Sequence, residues 1–118
     1  MTRHTHLIAL ALLAMTSPAW AHAFLERAIP PVGSDVSPSP PQLALTFTEG
    51  VEPLFSSVQL HNAQGAAVPI AKPTTAPGND RVLIVKLPTL PSGGYTVIWH
   101  ATSVDTHKTE GDFKFTVK

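Results

Sequence analysis

Twelve prolines and seven glycines break this chain of 118 residues into short runs, a spacing that leaves little room for helices. Proline removes a backbone donor and fixes φ, and it pushes the residue before it toward extended backbone. Between the breaks, apolar residues recur at every second position, as in half-buried strands. Leu43, Leu45 and Phe47 share one face of the run 42–47, and Phe113, Phe115 and Val117 one face of the closing run 111–118. Further strands are predicted over 24–29, 57–61, 81–87 and 95–103; the last is apolar on both faces in its middle and is expected at the centre of a sheet. Asn62-Ala63-Gln64-Gly65 and Pro91-Ser92-Gly93-Gly94 read as turns, and 71–79 as an irregular loop. Six or seven short strands with turns between them predict an all-β, immunoglobulin-like Greek-key sandwich or small barrel.

The first 21 residues stand apart. Arg3, flanked by His4 and His6, precedes nine apolar residues, Leu7 to Met15, and then Ala19-Trp20-Ala21. This is the order of a secretory signal with a small-x-small cleavage site, and its apolar run is too short to span a bilayer. Cleavage after Ala21 would leave one domain, residues 22–118, expected to be soluble and exported. Its seven Lys and Arg against eight Asp and Glu form no basic stripe, which argues against nucleic acid as a partner. Cysteine is absent, and both methionines, Met1 and Met15, fall in the leader, so thiolate and thioether chemistry are excluded from the mature domain.

The same cleavage would make His22 the first residue. An N-terminal histidine offers an α-amino nitrogen and its ring Nδ1 to one metal ion, which an internal histidine cannot do. Just past the long central strand, Ser103-Val104-Asp105-Thr106-His107 contains an Asp-x-His pair. In extended backbone, residues i and i+2 project to one face, so Asp105 and His107 are expected side by side. Together with His22 they make three nitrogens and one oxygen, a set suited to tetragonal Cu(II); zinc, with its tetrahedral preference, fits less well. Taken alone, Asp-x-His also reads as a polar turn in which Asp105 caps backbone amides.

At these residues the chain resembles the CopC-type periplasmic copper-binding proteins. The likeness covers nearly all of residues 22–118: His22-Ala23, Ala28 to Ser34, Leu45-Thr46-Phe47-Thr48-Glu49, Gly94 to Trp99, Ser103 to His107, and Gly111 to Phe115. The resemblance implies a Greek-key β-barrel related to the immunoglobulin sandwich, with Cu(II) held by His22, Asp105 and His107. Glu49 matches a family carboxylate near the copper, where it would orient His22 or offer a distant axial oxygen; by itself it reads equally as a solvated loop acid. The resemblance further implies an inner-membrane copper transporter of the CopD type as partner. Some family members hold Cu(I) on a methionine-rich segment; here the stretch 63–78 has no methionine. One Cu(II) ion and no Cu(I) site are therefore expected, in a monomer.

Trp99 shares the parity of Ser103, Asp105 and His107 and is expected to pack beneath the site. His100 has the opposite parity and is read as structural or surface, and His61 and Glu52 as solvated. The reading is a copper carrier without catalytic residues. Its rivals are a copper-dependent oxidative enzyme with an N-terminal histidine chelate and a metal-free immunoglobulin-like interaction module. Against the enzyme, a filled donor set leaves little room for oxygen, and most aromatic residues fall at predicted core positions.

Overall fold

A computed structural model describes residues 22–118; the expected leader, residues 1–21, lies outside the described residues. Nine strands follow one another: β1 Leu25–Ile29, β2 Asp35–Val36, β3 Gln42–Phe47, β4 Ser57–Asn62, β5 Ala67–Val68, β6 Thr74–Ala76, β7 Asn79–Lys86, β8 Gly93–Thr102 and β9 Lys108–Val117. A single 3-10 turn, Pro53–Phe55, precedes β4. The strands form two sheets, ordered β1-β3-β7-β6 and β2-β9-β8-β4-β5, with consecutive strands repeatedly crossing between them. Of the two architectures expected, this is the sandwich: the sheets remain separate and do not close into a barrel.

Alternation sets which face of each strand turns inward. Leu43, Leu45 and Phe47 of β3 and Leu83 and Val85 of β7 are fully buried; Leu60 of β4 and Val97 and Phe115 of β8 and β9 meet them from the other sheet. Each such side chain contributes about 1.5–3 kcal/mol of burial. That is how a domain without cysteine holds together. β8 lies in the middle of its sheet, as its two-sided apolar character predicts.

Three strands, β2, β5 and β6, lie outside the predicted runs, and all are short edge strands. Thr74–Ala76 lies inside the segment predicted to be irregular, between Pro73 and Pro77. It is a strand because β7 offers a partner for it, Thr74 opposite Ile84 and Thr75 opposite Leu83. The Asn62–Gly65 turn forms as predicted, with Asn62 Oδ1 accepting from the Gln64 and Ala66 amides and Gly65 at φ 82°.

Two features of this frame position the site. β8 and β9 pair over ten residues each, from Gly93 opposite Val117 to Thr102 opposite Lys108, so the loop 103–107 is the tip of the longest hairpin. β1 pairs with the end of β3, Leu25 opposite Phe47, which brings the residues ahead of β1 to the same end of the sandwich.

Candidate metal centre

The 103–107 loop is built around one buried hydroxyl. Ser103, 1% exposed, bridges to Val51, and its amide donates to the His107 carbonyl at 2.8 Å. Its hydroxyl donates to Asp105 Oδ1 and accepts the His107 amide at 3.2 Å. Val104 N donates to the Gly50 carbonyl at 3.0 Å, tying the loop to the segment after β3. Thr106 takes the left-handed conformation, φ 76°, which turns the chain back onto β9.

That turn corrects the expected reason for the Asp105–His107 proximity. The two residues are adjacent because the chain folds back between them, whereas an extended pleat was predicted. Oδ1 of Asp105 lies 3.2 Å from His107 Nδ1 and also faces the His107 amide at 3.4 Å. The polar-turn reading and the side-by-side reading are thus both present in one loop.

The electrostatics follow from these bonds. The Ser103 hydroxyl, assisted by His107 and opposed by partial burial, holds the Asp105 carboxyl below its ordinary range. An ionised carboxylate only accepts hydrogen bonds, so His107 Nδ1 is the donor to it. In a neutral ring the lone pair then resides on Nε2.

His22 reaches this loop from the far end of the sequence. Its ring stacks on that of His107, centroids 4.9 Å apart and planes 21° apart, with Phe24 stacked against it at 5.8 Å. Ala23, between them, points into the core and is fully buried. Thr48 Oγ1 donates to the His22 carbonyl and accepts the Phe24 amide, each at 3.0 Å, and Thr109 Oγ1 donates to the Ala23 carbonyl at 2.6 Å.

Thus His22, Asp105 and His107 meet at one end of the sandwich. As they stand, the described residues include no group of three or more His, Asp or Glu side chains gathered tightly enough to hold an ion. Glu49 is half-buried and directly follows Thr48. Trp99 packs in the core as expected, edge-on to Phe47 at 5.2 Å and against Gly111, with an indole N–H that has no hydrogen-bond partner among the described residues. His100 points to the outer face and pairs with Glu110 at 3.3 Å; His61 Nδ1 faces the Gly65 carbonyl. Glu52 is half-buried, its amide donating to the Thr102 carbonyl. Sequence reasoning missed Ser103, Thr48 and Thr109 as contributors; only Ser103, two residues before Asp105, carried a local signal.

A model of the CopC domain matches residues 25–118, beginning with the first residue of β1. Protein YobA of Escherichia coli (strain K12) is 37% identical over 105 residues, spanning 88% of this chain and 85% of that protein. The solved structure of CopC from Methylosinus trichosporium OB3b superposes with a TM-score of 0.78 at 34% identity, over 82% of this chain and 94% of that one. That of PcoC, a methionine-rich copper resistance protein from Escherichia coli, does so with a TM-score of 0.72 at 31% identity, over 83% of this chain and all of that one.

Proposed function

The chain belongs to the CopC family of copper-binding proteins, which are not enzymes, and from that premise we propose that it is a periplasmic carrier for one Cu(II) ion. Copper is cargo here. The His22 amine and ring Nδ1, a ring nitrogen of His107 and an oxygen of Asp105 bind it, with Glu49 beside the chelate; the Asp105–His107 hydrogen bond gives way to the ion. The observation that carries this reading is the stacking of His22 on His107, which unites residues more than eighty positions apart at an accessible end of the fold.

Oxidation state follows from donor chemistry. Cu(I) favours soft sulfur, and no sulfur occurs in residues 22–118, whereas the PcoC relative is described as methionine-rich. The protein therefore takes the oxidised ion and passes it, as a monomer, to an inner-membrane transporter of the CopD type.

The test is a Cu(II) titration of two forms, one beginning at His22 and one with a glycine added ahead of it, read by electron paramagnetic resonance. Tight binding of one ion by the first form alone, with a three-nitrogen, one-oxygen signature, is expected. Equal binding by both removes the amine from the site, and binding by neither ends the copper-carrier reading. Competition with a chromophoric Cu(I) chelator is expected to show no tight Cu(I) site.

A further inference from the structure

We propose that Thr48 and Thr109 are positioning residues that clamp the N-terminal segment between the two sheets, holding His22 beside Asp105 and His107 before copper arrives. The inference rests on the reading of His22 as a copper ligand.

The two hydroxyls grip successive carbonyls, those of His22 and Ala23, from opposite sides. Thr48 follows β3 of the four-stranded sheet; Thr109 belongs to β9 of the five-stranded sheet. Between them the Ala23 side chain is fully buried, plugging the sandwich at that point. Thr48 adds a backbone bond, its amide donating to the Phe24 carbonyl at 2.9 Å, and its hydroxyl accepts the Phe24 amide. Both clamps act on carbonyl oxygens, which are not among the donors assigned to copper.

Chain termini fray unless tied down. A frayed chelating arm must be ordered when the ion binds, and each residue so ordered weakens binding roughly five- to thirtyfold. The clamps shift that ordering to the folding step, so the metal-free protein presents a prepared chelate. Because the grips come from different sheets, they also fix His22 relative to the β8–β9 hairpin that carries the other two ligands.

The experiment uses protein exported from cells, its first residue verified as His22 by mass spectrometry. Thr48→Val and Thr109→Val remove the hydroxyls at constant shape, Thr48→Ser and Thr109→Ser keep them, and His22→Ala removes the ligand. Cu(II) affinity by chelator competition, the paramagnetic resonance spectrum and amide exchange at Phe24 are measured. Each valine variant is expected to bind Cu(II) about tenfold more weakly, with a mixed spectrum, and each serine variant to bind as the parent does. In the metal-free parent the Phe24 amide is expected to be protected from exchange, a result independent of how well any variant folds.

Valine variants that bind Cu(II) as tightly as the parent, while His22→Ala loses tight binding, overturn the clamp and leave the ligand assignment standing. An unprotected Phe24 amide in the parent overturns the clamp as well. His22→Ala binding like the parent overturns the ligand assignment itself, and the clamp's role in copper binding with it.

Discussion

Replacing Ser103 with alanine would test the organisation of the candidate centre at its root. The hydroxyl is buried, donates to Asp105 Oδ1 and accepts the His107 amide at 3.2 Å. One of those bonds is charge-assisted, and such bonds contribute about 1.5–3 kcal/mol against about 0.5–1.5 kcal/mol for a neutral one. Two facts reduce the sum. The Asp105 side chain is 44% exposed, so water replaces part of what is lost, and the His107 amide keeps Asp105 Oδ1 at 3.4 Å as a second acceptor. The net loss should be about 1–2 kcal/mol, which for a domain of this size lowers Tm by roughly 5–15 °C. The same substitution removes the main cause of the depressed Asp105 pKa, which should rise toward the ordinary carboxylate value. Calorimetry gives the first quantity, and a carbon-detected NMR titration of the Asp105 carboxyl gives the second. An unchanged Tm together with an unchanged Asp105 titration would refute the claim that Ser103 organises the loop.

Other substitutions and conditions probe neighbouring claims. Gly111→Ala would place a Cβ 2.6 Å from Trp99 Cζ2 and should destabilise by about 1–3 kcal/mol in a denaturant melt, since the indole is walled in by the core. Asp105, with a folded pKa below its unfolded one, should add stability above the unfolded pKa that is lost as pH falls through the folded value. Asp105→Asn should therefore flatten the acid limb of the stability profile below about pH 4, as melts at stepped pH will show. Copper affinity should fall steeply between pH 8 and pH 5, because the ion must displace the amine proton, of reference pKa about 7.7–8.0, and needs neutral imidazoles. Isothermal titration at the two limits measures it, and equal affinities would count against the proposed donors.

The alternating runs were legible because period two is a local property: Gln42–Phe47 is a strand at the predicted residues, and Phe113, Phe115 and Val117 turn inward. β6 was not, because prolines on both sides mask a three-residue strand that exists only against β7. At the candidate centre, the Asp-x-His pair could be read from spacing, but the geometry that unites it could not. Thr106 adopts a positive φ that nothing in its identity announces, and the loop owes its shape to a serine buried against Val51. The meeting of His22 with His107 has no local signature at all. It arises from the pairing of β1 with β3 and of β8 with β9; donor chemistry and likeness to a family suggested it, and no pattern along the chain did. Thr48 and Thr109 were invisible for the same reason, since a threonine next to a strand is unremarkable until its neighbour across the fold is known.

The arrangement of the sheet margins has a consequence for the protein's behaviour in a crowded compartment. Open sheet borders offer unpaired amides and carbonyls to any other chain, and natural β proteins keep such borders short, charged or interrupted. Here three of the four outermost strands are only two or three residues long, and the third of these lies between Pro73 and Pro77. The fourth, β1, has an irregular register between Leu25 and Arg27, carries Glu26 and Arg27, and runs into Pro30 and Pro31. Among the described residues no border presents a long, flat template. Within them, the prolines that interrupt the chain also deny its neighbours a strand to pair with, which disfavours edge-to-edge polymerisation.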